Sequence, residues 1–196
     1  MKNKTNVIYF VTSNRNKFDE IEKLLQNEHL HYQLKQLKID TAEIQAESLN
    51  KVALFKLNSI KEQVDGSYFI EDAGLFIDTP LNGFPGVYSS YVMKTIGNEG
   101  ILKLIDDFEK TEAHFTSVIA FYFQPINKIL FFEGITYGKV SKTIRGSSGF
   151  GFDPIFIPNI MPNKTFAELT TEEKNKISHR GKALKKFIKF LKEATY

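Results

Sequence analysis

The chain contains no cysteine. Disulfides, thiolate metal sites and cysteine nucleophiles are therefore excluded, and the absence fits a reducing cytoplasmic setting. Long apolar runs are missing as well. Residues 7–11 form a five-residue apolar run, too short for the core of a signal peptide, and no small-residue cleavage site follows it. Nothing approaches the ~20 apolar residues of a membrane span. Arginine is scarce, at three of 26 basic residues, so Arg15, Arg145 and Arg180 each invite a question. The formal charge of +3 is too small to mark a nucleic-acid partner. No internal repeat, low-complexity tract or linker interrupts the 196 residues. The expectation is one soluble, intracellular domain over 1–196, two lobes sharing one core, with neither nucleic acid nor membrane as partner. A chain of this mass buries about 70% of its unfolded surface.

Apolar and β-branched residues at 7–11 predict a buried strand, and Phe18, Ile21, Leu24 and Leu25 recur at helical spacing after it. A second strand is expected at 30–39 and a second helix at 47–61, carrying Lys51 and Lys56. A third strand at 68–70 ends on Glu71-Asp72-Ala73-Gly74, with 75–77 extended beyond it. Residues 83–86 read as a turn-rich loop. A helix is expected at 96–108 with Ile101, Leu102, Leu104 and Ile105 inward, then strands at 117–123 and 128–132 joined by a hairpin at 124–127. A glycine- and serine-rich loop at 146–151 and a terminal amphipathic helix complete the pattern. Alternation of strand and helix followed by a hairpin predicts an α/β or α+β fold with a long sheet, two lobes flanking a groove.

Four segments carry candidate chemistry. Thr12, Ser13, Asn14, Arg15, Asn16 and Lys17 lie between a strand end and a helix start, where free amides and the helix dipole favour an anion. A simple helix cap by Ser13 or Asn14 is the alternative. No glycine is present, so the segment is not a Walker loop. Glu71 and Asp72 follow an apolar strand, and two adjacent carboxylates there need a metal or a cation to offset them. Mg2+ takes one or two carboxylates and fills its other positions with water and phosphate oxygens. Alternation along the strand sends only one of the pair toward a given face, and an ordinary acidic turn is the alternative. Glu43 could bring a further carboxylate to the same end of the sheet, although alone it reads as surface.

In Ser147-Ser-Gly-Phe-Gly-Phe-Asp-Pro154 the glycines leave the Phe150 ring uncovered, suited to stacking on a planar base. Asp153, before a proline, is expected to be extended and able to accept from a base edge or sugar hydroxyl; a tight loop with core aromatics is the alternative. The match to the RNA-binding aromatic signature fails at three positions. Ser178 reads as the N-cap of the last helix. His179 and Arg180 then oppose the helix dipole, which invites an anionic or polar partner. The whole inventory matches phosphoryl chemistry on a nucleotide.

Thr12-Ser-Asn-x-x-Lys17, Glu71-Asp-x-Gly-Leu75, Gly83-Phe-Pro-Gly-Val-Tyr-Ser89, Gly149-Phe-Gly-Phe-Asp-Pro154 and Ser178-His-Arg180, in that order, resemble the inosine triphosphate pyrophosphatase family. The segment 88–104 resembles its archaeal branch. The resemblance implies a two-lobed mixed α/β sheet with flanking helices around a central substrate groove, and a homodimer. It also implies Mg2+-dependent hydrolysis of ITP, dITP and XTP between the α and β phosphates. By similarity, the 12–17 loop holds the phosphates and Lys56 reaches them. Glu43 and Asp72 match the metal site, and Asp72 matches the general base. Ala73 stands among the substrate-binding positions, where serine is more frequent in the family; glycine is more frequent at Ser13. Phe150 would stack on the purine, with Gly151, Phe152, Asp153, Lys174, His179 and Arg180 around base and phosphates. A 6-oxo purine offers an acceptor where adenine has a donor, so a fixed donor rejects ATP; exclusion of GTP has no visible carrier. A Maf-like nucleotide pyrophosphatase and a non-catalytic nucleotide- or RNA-binding protein are the competing readings.

Overall fold

A computed structural model describes residues 6–26, 28, 30–42 and 44–194. In chain order the elements are β1 (Asn6–Val11), α1 (Arg15–Gln26), β2 (Tyr32–Leu37), α2 (Leu49–Ser59), β3 (Ser67–Ile77), β4 (Phe84–Pro85), α3 (Ser89–Thr95), α4 (Gly97–Leu104), β5 (Glu112–Phe123), β6 (Lys128–Val140), β7 (Phe156–Pro158), α5 (Thr171–Ile177) and α6 (His179–Glu193). The strands form a seven-stranded mixed sheet in the order β2-β1-β3-β5-β6-β7, with β4 paired to β3 off that path. The expected mixed α/β class holds.

The chain divides into two compact units. The first contains Met1–Asp72, Val118–Glu133 and Ala183–Tyr196. Here β1 runs parallel to both β2 and β3. Parallel neighbours need crossover connections, which α1 and α2 supply. Its core gathers Phe10, Phe18, Ile21, Phe69, Phe121 and Phe187, with the Phe10 and Phe69 rings stacked at 4.6 Å. The second unit contains Ala73–Ser117 and Gly134–Lys182. Leu75, Ile101, Phe115, Phe156 and Phe166 are central to its own core, and Phe115 meets Phe156 edge-on at 4.8 Å.

Several boundaries differ from expectation, each for a physical reason. Strand β3 does not end at Glu71-Asp72 but runs on to Ile77, because both carboxylates find cations within the fold. In β5, Ala113 and Phe115 are buried while Glu112 is exposed; this alternation extends the strand five residues ahead of the apolar run at 117–123. The helix expected over 96–108 is shorter, α4 at Gly97–Leu104, and Gly97 with φ +61° separates it from α3, which ends at Thr95. Ile101 and Ile105 point inward as expected, but Leu104 is 47% exposed. Helix α6 keeps its expected cap: the Gly181 N–H donates to Ser178 Oγ at 3.1 Å.

Two capping boxes order the segment before α6. Glu168 accepts from the Thr165 N–H at 2.7 Å, and Glu173 accepts from the Thr170 N–H at 2.8 Å. These bonds favour the charged form and hold both carboxyls below their ordinary value of 4.5. A carboxyl depressed on folding stabilises above its unfolded value, and that contribution is lost as pH falls through the folded one. Thermal denaturation of Glu168→Gln/Glu173→Gln should therefore show a lower Tm than wild type at neutral pH. The gap should close as pH falls from about 5 to about 3. A gap independent of pH would remove the boxes as its source.

Candidate active site

The 12–17 segment leaves the carboxyl end of β1, the end at which parallel sheets receive ligands. Val11 stands opposite Leu37 in β2, and the Thr12 N–H donates to the Leu37 carbonyl at 3.1 Å. Gln36 Nε2 donates to the Thr12 carbonyl at 3.0 Å. Of the two possible caps, Asn14 takes the role: its Oδ1 accepts from the Lys17 N–H at 3.2 Å. Thr12 Oγ1 accepts from the Asn14 N–H at 3.2 Å. Ser13, Asn14, Arg15 and Asn16 are exposed at the helix start. Arg15 lies along its own helix, 2.8 Å from Asp19 and 5.4 Å over the Phe18 ring.

Lys17 is directed at β3. Its Nζ donates to the Glu71 carbonyl at 3.1 Å and stands 2.9 Å from Glu71 Oε2. Lys56, in the last turn of α2 and only 8% exposed, donates to Asp72 Oδ2 at 2.9 Å. Strand alternation explains why two helices are needed. Glu71 shares a face with Phe69, which packs with Phe18 and Ile21 of α1. Asp72 shares the other face with Tyr68, whose hydroxyl donates to the Leu57 carbonyl of α2 at 3.4 Å. Each carboxylate thus meets the lysine of the helix on its own side. The cluster of two lysines and two carboxylates is formally neutral, so a polyphosphate arriving beside it brings charge that needs a further cation. Its oxygen donors, with the Asp72 side chain 15% exposed, suit Mg2+. Glu43, the other expected ligand, lies outside the described residues; among those described, no three His, Asp or Glu side chains gather for a metal.

In the second unit, Phe150 sits half-buried between two glycines of positive φ, Gly149 at +74° and Gly151 at +63°. Lys174 Nζ lies 5.0 Å and the Arg180 guanidinium carbon 5.3 Å from the Phe150 ring centre, both in cation–π range. Asp153, 3% exposed, is not extended as its place before proline predicts; it opens a short 3₁₀ turn. Its Oδ2 accepts from the Phe150 N–H at 2.7 Å and from Lys174 Nζ at 2.7 Å, and these two bonds draw the backbone into the turn. Phe152 is 4% exposed and belongs to the core, so only its backbone is available to a ligand. His179 is buried and stacks on Phe115 at 4.5 Å. Ala73 is half-buried directly after Asp72 on β3.

One residue was singled out without a partner, and one escaped the sequence reading. Glu71 was expected to need a cation, and its side chain, 0% exposed, is the partner of Lys17. Asn98, in the glycine-flanked run Gly97-Asn-Glu-Gly100, donates from Nδ2 to the Gly151 carbonyl at 3.1 Å. Flanking glycines around one amide were the only available signal.

The Ham1 family model matches residues 8–190. A dITP/XTP pyrophosphatase of Thermococcus kodakarensis is 50% identical over 184 residues, covering 94% of this chain and 96% of the relative. One from Pyrococcus horikoshii is 51% identical over 185 residues, with the same coverage of 94% and 96%. Among solved structures, a HAM1 protein from Coxiella burnetii superposes with a TM-score of 0.81 at 29% identity, covering 96% of this chain and 100% of that one.

A Cβ at Gly149 would stand 2.2 Å from Asp153 Oδ2, on backbone that side chains rarely adopt. Gly149→Ala should therefore cost on the order of 1–3 kcal/mol in chemical denaturation. Wild-type stability in that variant would show that Asp153 does not fill the space beneath the loop.

Proposed function

The chain belongs to the Ham1 family, and from that premise we propose that it hydrolyses non-standard purine nucleoside triphosphates, dITP, ITP and XTP, to monophosphate and pyrophosphate. The observation that carries the reading is the half-buried Lys56–Asp72 pair at 2.9 Å, next along β3 from the Lys17–Glu71 pair and supplied by helices on either side. The archaeal relatives at about half identity bear the name dITP/XTP pyrophosphatase.

The 12–17 amides and hydroxyls, with Lys17 and Lys56, hold the phosphates. Asp72 takes a proton from water as its oxygen bonds to the α-phosphorus. The bond from that phosphorus to the bridging oxygen breaks, and pyrophosphate leaves with the electron pair. Lys56, 2.9 Å from Asp72 Oδ2, holds that carboxylate oriented for this role. Mg2+, held by Asp72 and Glu43, would supply the positive charge that the neutral cluster lacks. Phe150 stacks on the purine, with Lys174 and Arg180 fixing the ring's own position. Asp153 serves as the brace of this loop, and His179 orients the start of α6 by its stack on Phe115. A homodimer in the cytoplasm completes the proposal. The exposed rings of Phe84, Tyr88 and Tyr91 within one segment support self-association, and the lack of cysteine supports a reducing compartment. No helix among the described residues is long and apolar enough to cross a membrane.

Incubation with dITP, ITP, XTP, GTP, ATP and dTTP plus Mg2+ in 18O-water tests the reading. The expected products are monophosphate carrying the label and unlabelled pyrophosphate, from the three deaminated substrates. Diphosphate with orthophosphate, or preference for dTTP, would overturn it. Asp72→Asn should lower kcat by about 10²-fold or more, and near-normal turnover would remove Asp72 as the base.

A further inference from the structure

We infer that Asn98 is a positioning residue for base recognition: it tethers the carbonyl of Gly151 and so fixes the orientation of the Phe150 ring. The inference rests on the proposed stacking of Phe150 against the purine. The two sides of that ring are held differently. On the amino-terminal side, Gly149 is packed against Asp153, whose Oδ2 also accepts the Phe150 N–H at 2.7 Å. On the carboxyl-terminal side, Gly151 has φ +63°, and a Cβ placed there would meet nothing within 4 Å. No contact at the Cβ position therefore braces Gly151, and glycine itself resists rotation little. What reaches it from a distant part of the chain is Asn98 Nδ2, donating to its carbonyl at 3.1 Å across 53 residues of sequence.

The orientation of the Asn98 amide is fixed by the same contact. Turned over, Oδ1 would face the Gly151 carbonyl, acceptor against acceptor. As seated, Oδ1 is buried without a hydrogen-bond partner among the described residues. Such an unmet acceptor is seldom retained in a fold. Here it accompanies a long-range bond on the carboxyl-terminal side of Phe150, where the Asp153 N–H also donates to the Phe150 carbonyl at 3.3 Å. Without the tether, Gly151 samples more conformations and a bound purine must reorder the ring before stacking. That cost falls on binding of the base and leaves the proposed phosphate-binding residues Lys17 and Lys56 untouched.

Asn98→Ala and Asn98→Asp test this. The aspartate keeps the shape but presents an acceptor to the Gly151 carbonyl. With dITP, Asn98→Ala should raise KM about 3- to 10-fold, the range of one lost hydrogen bond, with kcat within about twofold. Asn98→Asp should be the worse of the two. Calorimetry should show weaker IMP binding and unchanged pyrophosphate binding. Amide hydrogen exchange in the free protein should quicken at Gly151 and Phe152 but not at Lys17. Unaltered exchange in both variants, or equal weakening of IMP and pyrophosphate, would overturn the inference. If the wild type turns over no purine triphosphate, the proposed function falls, and the exchange measurement still decides the tether.

Discussion

Carboxylates taken out of water must each meet a cation, and three lysine–carboxylate pairs satisfy that constraint where the fold most needs it: Lys17–Glu71, Lys56–Asp72 and Lys174–Asp153. None is an exposed surface pair of the kind that contributes little. The Asp153 and Lys174 side chains are 4% and 5% exposed. At such burial the pair's net contribution to stability is small, whereas removal of one member leaves a stranded charge worth about 3–5 kcal/mol. The pairs therefore act less as a source of stability than as fixed points of geometry. Strand β3 can run through Glu71 and Asp72 only because α1 and α2 deliver lysines to its two faces. The Phe150 loop can turn tightly only because Asp153 is held from below.

This constraint explains which parts of the molecule were legible in the sequence. The continuous apolar run at 7–11 marked β1, and the period-3.6 patterns marked α1, α2 and α6, since those elements bury apolar residues whose spacing is visible locally. The 12–17 segment was legible as a capped connection between strand and helix, the cap falling to Asn14. Phe150 was legible from its flanking glycines, and Ser178 from cap chemistry. In each case the deciding physics involves residues within a few positions of one another.

What remained illegible depends on partners far apart in the chain. Glu71 had no named partner until Lys17, 54 residues away, was seen beside it. Asp153 was expected to face a ligand because pre-proline sterics favour extended backbone, yet a 2.7 Å bond to Lys174 overrides that local preference. Asn98 carries no signal of its own, because an amide between glycines is also what a turn would use. The long tails of β5 and β6 were missed for a related reason: beyond the apolar runs only alternate residues are buried, and polar neighbours interrupt the pattern. The break between α3 and α4 follows from Gly97 at φ +61°, a backbone choice that the sequence permits but does not dictate.

Selectivity among nucleotides follows from how unevenly rigidity is distributed. The triphosphate is common to every nucleoside triphosphate, so in the proposed function the lysines and amides near β3 would bind right and wrong substrates alike. Discrimination falls on the base, where inosine and adenine differ by an acceptor in place of a donor. A donor rejects adenine only if it cannot turn away from the mismatch, because a mobile group relaxes and the unpaired-group penalty vanishes. In the proposed function the elements around Phe150 would supply that rigidity. Gly149 leaves no slack above Asp153, Asp153 grips both Lys174 and the Phe150 amide, and Asn98 holds the open side at Gly151. Under that reading, a looser loop with the same residues would let a base-facing donor relax away from adenine, and the discrimination would fade.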